Sequence, residues 1–147
     1  MSKIYLVGRI TGLSQQHAAN WRRDAAELLA KYGHDSINPM DGKEGLGHGL
    51  PIAASYRTHP HFNAMALFHD SVEALNRCDA VLMNCEHGVV FGAPWELGAA
   101  YQMGKTAVLF NVPDELQEHP MIAGNPAVFV VDNLEQACGL FRPKNYA

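Results

Sequence analysis

Short apolar runs alternate with longer amphipathic segments along this chain, and this alternation constrains the fold more than any other feature. The apolar runs have the length and the β-branched and aromatic content of buried strands. The segments between them place apolar residues at helical spacing. Strands are predicted at residues 3–8, 34–39, 79–85, 106–112 and 127–132, and helices at 14–33, 62–78, 94–104 and 133–141.

Strands that alternate with helices favour one architecture. Successive parallel strands are joined by right-handed crossovers, and the crossover helices cover both faces of the sheet. We therefore expect an α/β fold with a single doubly wound, flavodoxin- or Rossmann-like parallel five-stranded sheet and helices on both faces. The 147 residues suit one domain, so we assign 1–147 to a single unit.

Composition limits the partners of such a domain. The net charge is −4 and charged residues make up 18% of the chain, which is typical of a soluble globular protein and not of one that coats a nucleic acid polymer. Three cysteines without CxxC spacing favour neither a disulfide framework nor a thiolate zinc site. The first apolar run stops at Gly8, too early for a membrane span or a signal sequence. We expect a cytoplasmic protein that binds neither nucleic acid nor membrane.

The patterns of strand and helix give way between Met40 and Pro60, where the sequence reads "MDGKEGLGHGLPIAASYRTHP". A stretch of this length without secondary structure is typical of a functional segment, so we expect a lid-like loop at about 40–61. Histidines crowd this region, but neither HExxH nor C2H2 spacing is present. We therefore expect no metal and no cofactor. The histidines concerned are His48, His59, His61 and His69.

The loops after the strands are the expected place for a ligand, because doubly wound sheets bind ligands beyond the carboxyl ends of their strands. Glycines in these loops allow a close approach of the backbone, and polar side chains can hold a ligand. The candidate substrate-binding residues in these loops, beside them or at the edge of the lid are Tyr5, Gly8, Arg9, Ile10, Gly12, Phe62, Asn84, Gly92 and Trp95.

Two of these candidates have structural alternatives. The turn from Gly8 to Gly12 either brings backbone N–H groups to a sugar or a 5′-phosphate, with Arg9 as an anion partner, or is a plain strand-to-helix turn. Tyr5 either points at the ligand or is a buried structural tyrosine. Phe62 and Trp95 are candidates for the apolar wall that a nucleobase needs.

One acidic residue, Glu96, lies within "FGAPWELGAAYQMGK" at residues 91–105. If Pro94 is the first helical residue, Glu96 falls in the first turn, where the helix dipole favours negative charge and keeps the carboxylate ionised. A carboxylate held in this way can attack an electrophilic carbon. The alternative is a favourable first-turn acid without a chemical role.

Three stretches together resemble one enzyme family. "FGAPWELGAAYQMGK" resembles the nucleophile helix of the nucleoside 2-deoxyribosyltransferases, a family with related deoxynucleoside 5′-monophosphate N-glycosidases. "IYLVGRITG" looks like the first strand and glycine turn of that family, and "HDSVEALNRCDAVLMN" looks like its helix-to-strand segment. The similarity runs from about Lys3 to Val131.

The resemblance implies roles for three acidic residues. Glu96 corresponds to the nucleophile, and Asp70 to the active-site aspartate near the sugar. Asp79 matches an acid at the start of the third strand, for which we expect a structural role. The implied reaction transfers a 2-deoxyribosyl group between nucleobases through a covalent glycosyl-glutamate intermediate. The implied partners are a nucleoside or nucleotide and a free nucleobase.

The sequence departs from the family just before the nucleophile helix, where many relatives carry an aspartate that handles the base. This chain has Val89, Val90 and Phe91 near that place, and Glu86 or His87 is the candidate substitute. Two alternatives therefore stay open. One is a nucleoside 5′-monophosphate N-glycosidase that releases the free base, and the other is a non-catalytic nucleotide-binding module.

The segment "HPMIAGN" (119–125) resembles a part of the family that reaches into the site of a neighbouring subunit. On this resemblance His119 and Asn125 complete the pocket of another chain in a homo-oligomer. The alternative is a surface loop that contains a turn.

Overall fold

A single parallel sheet forms the centre of the computed structural model. The structure describes residues 1–10, 13, 15–42, 63–86 and 91–145, and within them it contains five strands. Every neighbouring pair is parallel, and the order across the sheet is 2-1-3-4-5 in chain numbering. The predicted flavodoxin-like α/β fold is therefore confirmed. The strands are β1 (Lys3–Gly8), β2 (Asp35–Ile37), β3 (Ala80–Asn84), β4 (Thr106–Phe110) and β5 (Val128–Val130).

Helices connect these strands in the alternating order that the sequence predicts. Residues 113–126, for which no helix was predicted, contain two short helices. Within the described residues, no helix combines the length and hydrophobicity needed to cross a bilayer. The helices are α1 (Gln15–Lys31), α2 (Ala64–Arg77), α3 (Gly92–Gln102), α4 (Asp114–Gln117), α5 (Pro120–Ala123) and α6 (Leu134–Gly139).

Alternate residues of each central strand enter different hydrophobic cores, because successive side chains of a strand point to opposite faces of the sheet. Tyr5 and Leu109 belong to the core beneath α2 and α3. Leu6 and Phe110 belong to the core beneath α1 and α6. Burial of both faces explains why these strands read as continuous apolar runs.

Two residues with left-handed backbone set the ends of elements. Gly33 has φ of +82° and follows α1, as the sequence predicts for a helix that ends at a glycine. Asn111 has φ of +54°, a conformation that no strand residue adopts. For this reason β4 ends at Phe110, two residues before the predicted end.

Asp79 has the structural role that was expected of it. Its Oδ2 atom accepts a hydrogen bond of 2.7 Å from the backbone N–H of Lys3, and its own backbone N–H donates to the Lys3 carbonyl at 2.8 Å. These bonds join the start of β1 to the turn before β3. They fix the register of the two strands whose far ends carry the candidate site.

All three cysteines are buried and free. Burial raises the pKa of the Cys85 thiol to about 11 and that of the Cys138 thiol to about 12. It also raises the pKa of Cys78. The thiols therefore stay protonated at neutral pH and behave as small apolar core residues.

Gly8→Ala is expected to lower the free energy of unfolding by about 1–3 kcal/mol, the usual cost of overpacking. A Cβ atom at this position would lie 2.9 Å from Cζ2 of Trp21 and 3.3 Å from the backbone oxygen of Asn84. Urea unfolding measures the change. Gly98→Ala in α3 is the control, because no described atom lies within 4 Å of its added Cβ. Equal effects of the two substitutions would contradict this account of Gly8.

Candidate active site

Glu96 lies in the second turn of α3, and not in the first turn as predicted. The helix begins at Gly92, two residues before Pro94, and Phe91 is its N-cap residue. The helix dipole acts mainly on charges within the first turn. The prediction that the helix N-terminus keeps this carboxylate ionised is therefore wrong.

Burial is instead the largest influence on the protonation of the Glu96 carboxyl. Its Oε2 atom is shielded from solvent and has no hydrogen-bond partner among the described residues. Burial raises the pKa of this carboxyl, because the charged form loses its water. A hydrogen bond with Tyr5 and the positive charge of Arg22 act in the opposite direction. Ionisation of Glu96 therefore rests on these two residues.

Tyr5 links Glu96 to the rest of the site. It is 2% exposed, and its hydroxyl interacts with the side chains of both Glu96 and Ser71. Burial raises the pKa of the Tyr5 phenol far above its ordinary value, and the negative charge of Glu96 raises it further. The hydroxyl therefore stays protonated and donates its hydrogen to the carboxylate. Tyr5 is therefore buried and also lines a cavity, while its contact with a ligand stays a prediction.

A cavity of about 270 Å³ opens beside Tyr5. It lies between the carboxyl ends of β1 and β2 on one side and α2 on the other, where a doubly wound sheet binds ligands. Asp70 and Ile10, two of the predicted site residues, line it. Glu96 is not among the described lining residues and reaches the cavity through Tyr5. The described lining residues are Tyr5, Ile10, Ile37, Asn38, Pro39, Met40, Asp41, Leu67, Asp70, Ser71, Glu73, Ala74 and Arg77.

The charged side chains of this cavity are mostly acidic. Asp70, Asp41 and Glu73 contribute carboxylates, and Arg77 contributes a positive charge. Arg77 and Glu73 form an ion pair of 3.8 Å, and both side chains are more than half exposed, so the pair adds little stability. Carboxylates at the mouth of such a cavity are suited to accept hydrogen bonds from the hydroxyl groups of a sugar.

Arg22 is the functional candidate that the sequence analysis missed. The residue is completely buried, although an arginine in an amphipathic helix is normally placed on the solvent face. A signal was present in the sequence, since Arg22 lies four residues after Ala18 and three before Ala25, on the stripe of α1 that enters the core. Its guanidinium also stacks on Trp21, 4.7 Å from the ring centre.

Asn84 joins the ends of two strands. Its Oδ1 atom accepts hydrogen bonds from the backbone N–H of Glu86 at 3.0 Å and from Nδ2 of Asn111 at 3.2 Å. The residue is 6% exposed. Its role in substrate binding stays a prediction, while its observed contacts join the residues that directly follow β3 and β4.

Trp95 lies on the protein surface beside another aromatic residue. Its ring centre is 5.2 Å from that of Phe68 in α2, and the Trp95 and Phe68 side chains are 39% and 53% exposed. Trp95 is not among the described residues that line the cavity beside Tyr5. Its proposed contact with a nucleobase stays a prediction, as does the role in substrate binding of Gly92, the exposed first residue of α3.

His119 and Asn125 line a second cavity, of about 670 Å³, between α3 and the segment that contains α4 and α5. His119 Nδ1 accepts a hydrogen bond of 3.2 Å from the Met121 backbone, and Asn125 Oδ1 accepts one of 3.0 Å from the Ala127 backbone. Within one chain these residues therefore do not join Tyr5 at the first cavity. Their contribution to a neighbouring subunit stays a prediction.

The remaining candidates divide by position. Gly8 is the last residue of β1 and Arg9 follows it, and both are half-buried. The packing of Trp21 against Gly8 gives a structural reason for the glycine.

Among the described residues, no group of three or more histidine, cysteine, aspartate or glutamate side chains could hold a metal ion. The candidates outside the described residues are Gly12, Phe62, His87 and the lid residues 43–61, with His48, His59 and His61.

Glu96→Gln is expected to stabilise the protein at neutral pH. Because the native pKa of Glu96 is raised, the folded state binds its proton more tightly than the unfolded state. The stability of the wild type therefore falls as pH rises from the ordinary value of 4.5 through the native pKa, and the amide avoids this loss. Urea unfolding at several pH values measures the difference.

The control for this prediction is Glu27→Gln, which neutralises an exposed carboxylate of α1. We expect its effect on the free energy of unfolding at neutral pH to be much smaller. A Glu96→Gln variant that is less stable than the wild type at neutral pH, with the loss disappearing in acid, would mean that the carboxylate makes net favourable contacts. That result would contradict the account of a desolvated group.

Known proteins resemble this chain in fold, although no match was found from its sequence. The sequence matches no protein-family model and no curated protein. The structure, however, matches solved structures over nearly its whole length. One is a 2-deoxyribosyltransferase from the psychrotolerant bacterium Bacillus psychrosaccharolyticus, which is 16% identical, with a TM-score of 0.56 over 99% of this chain and 100% of that chain.

Two further structures give similar values. A CMP N-glycosidase from Clostridium botulinum is 14% identical, with a TM-score of 0.59 over 92% of each chain. A conserved protein from Enterococcus faecalis V583 is 17% identical, with a TM-score of 0.64 over 96% of this chain and 97% of that chain. At such identities the likeness shows a common fold. This chain therefore shares the whole α/β fold of a 2-deoxyribosyltransferase and of an N-glycosidase.

Proposed function

We propose that this protein is an enzyme that cleaves an N-glycosidic bond and transfers the 2-deoxyribosyl group to another nucleobase. One observation carries the proposal: the buried carboxylate of Glu96 contacts Tyr5, which lines a cavity together with Asp70 at the carboxyl end of the sheet. The likeness to a 2-deoxyribosyltransferase and to a CMP N-glycosidase supports the same class of reaction.

The first half of the reaction forms an ester. A Glu96 carboxylate oxygen attacks C1′ of the sugar, and the bond between C1′ and the base nitrogen breaks. The electron pair of that bond leaves with the base, which takes up a proton. C1′ carries oxocarbenium character in the transition state, and the negative charge of Glu96 stabilises it before the new C–O bond is complete.

The second half releases the carboxylate. A nitrogen of the incoming base attacks C1′, the ester bond breaks and its electron pair returns to Glu96, while the incoming base loses a proton. Two displacements at the same carbon restore the original configuration. The lid-like loop proposed at about 40–61 would exclude water from the ester between the two steps.

The neighbours of Glu96 have separate roles in this proposal. Tyr5 donates a hydrogen bond that orients the carboxylate and keeps it ionised. Asp70 accepts a hydrogen bond from a hydroxyl group of the sugar and positions C1′. In an oligomer, His119 and Asn125 of a neighbouring subunit would complete the base side of the pocket.

Hydrolysis is the second candidate function. The chain has Val89, Val90 and Phe91 where many transferases carry the aspartate that handles the base. An incoming base is then held less firmly, and water replaces it as the acceptor. The fold likeness to a CMP N-glycosidase favours a nucleoside 5′-monophosphate as the substrate of such a hydrolase.

Product analysis tests the proposal. The purified protein is incubated with one 2′-deoxynucleoside and a different free base, and separately with a 2′-deoxynucleoside 5′-monophosphate alone. We expect chromatography to reveal a new deoxynucleoside in the first mixture. Glu96→Gln should reduce its rate by at least about 10³-fold, because the nucleophile is lost. Glu27→Gln is the matched control and should retain the rate.

Other outcomes have distinct meanings. Free base released from the monophosphate, with no base exchange, would identify the hydrolase. Ligand binding without turnover, unchanged by Glu96→Ala, would identify a non-catalytic module and overturn the proposal. Base exchange at the full rate in Glu96→Gln would refute the role of this residue.

A further inference from the structure

Arg22 places a buried positive charge at the end of the strand that carries Tyr5. The residue is 0% exposed. Its guanidinium donates hydrogen bonds to three backbone carbonyls: that of Gly8 at 2.9 Å, that of Leu6 at 3.4 Å, and that of Ala18 in its own helix. The guanidinium is planar and has five donors in a fixed arrangement, so it can bind three separate carbonyls at once. A lysine ammonium lacks this arrangement.

The position of these carbonyls explains why a side chain binds them. Strand β2 pairs with β1 only as far as Tyr5, opposite Ile37. Leu6 and Gly8 lie beyond this last pair, and they are two residues apart, so their carbonyls point to the same side of the strand. Arg22 therefore supplies hydrogen-bond donors to the end of β1 at the point where β2 has ended.

The charge of Arg22 also acts on the opposite face of the sheet. Its helix α1 packs on one face, while Tyr5 and α3 belong to the core of the other. The guanidinium nevertheless favours the ionised forms of both Tyr5 and Glu96. Electrostatic interactions are strong here, because these groups are shielded from water. A buried cation is costly, so its placement at the end of the strand that carries Tyr5 needs a reason beyond stability.

We propose that Arg22 is a positioning residue for the Glu96 carboxylate. It fixes the end of β1, and with it the Tyr5 hydroxyl that contacts Glu96, and it places a buried positive charge at the same strand end. Its catalytic consequence rests on the proposed function, but its effect on Glu96 does not.

Other charged groups face the same region and are part of the test. From α2, the carboxylates of Asp70 and Glu73 line the cavity beside Tyr5, and Arg77 pairs with Glu73. The carboxylate of Asp41 lines it from the segment after β2. Among the described groups, the influences on the pKa of Glu96 are burial, which raises it, and Tyr5 and Arg22, which lower it.

The decisive measurement is a carbon-13 NMR titration of the Glu96 side-chain carboxyl, assigned by its absence in Glu96→Gln. In Arg22→Met the midpoint is expected to move to higher pH, because the positive charge is lost. In Arg22→Lys it should stay closer to the wild type. Arg23→Met is the matched control, since Arg23 is 64% exposed and pairs with Asp24. It should leave the midpoint unchanged.

A second measurement on the unmutated side chain covers the case in which Arg22→Met fails to fold. The Nε resonance of Arg22 should shift with pH at the same midpoint as the Glu96 carboxyl, and Glu96→Gln should abolish this shift. An Arg22 resonance that ignores the titration of Glu96 would overturn the proposal. So would equal Glu96 midpoints in folded Arg22→Met and Arg23→Met.

Kinetics separate this proposal from the proposed function. If both hold, the acid limb of kcat/KM moves to higher pH in Arg22→Met, and kcat/KM at neutral pH falls on the order of 10- to 100-fold through misplacement of the nucleophile. If the Glu96 midpoint shifts but no variant has glycosyl-transfer activity, the role of Arg22 stands and the proposed function fails.

Discussion

The burial of one carboxylate at the carboxyl end of a parallel sheet is the constraint on which the site depends. Glu96 lies in α3, where its Oε2 atom is hidden from solvent. Tyr5 and Arg22 offset the loss of water, one through a hydrogen bond and the other through its charge. A carboxylate with little hydration is a better nucleophile toward a cationic carbon and a poorer contributor to stability. The same burial would therefore favour the proposed reaction and lower the stability of the fold at this point.

Local sequence was sufficient to predict the architecture. Apolar runs such as "KIYLVG" are buried on both faces only in a parallel sheet, and the amphipathic segments between them have no other surface to cover. Asp79 was correctly assigned to structure. The start of α3 was wrong by two residues, because Pro94 is favourable at the first helical position but does not require it. Because the helix begins earlier, Glu96 lies outside its first turn. Burial, and not the helix dipole, is therefore the largest influence on the pKa of its carboxyl.

What the sequence could not predict lies in contacts between distant segments. Arg22 was overlooked because a charged residue is assumed to face water, although its spacing from Ala18 placed it on the buried stripe of α1. Tyr5 was left with two interpretations, since a strand pattern tells which face a side chain enters but not which group it meets there. His119 and Asn125 line a different cavity, so their role requires a second chain that one sequence cannot position.

The central claim is that Glu96 forms a covalent bond to the sugar, and a trapped intermediate tests it most directly. The protein is mixed with a 2′-deoxynucleoside, quenched with acid during turnover and analysed by mass spectrometry of its peptides. The account predicts that the peptide containing Glu96 gains the mass of one 2-deoxyribosyl group. Samples that turn over substrate but carry the adduct on another residue, or carry none, would contradict it.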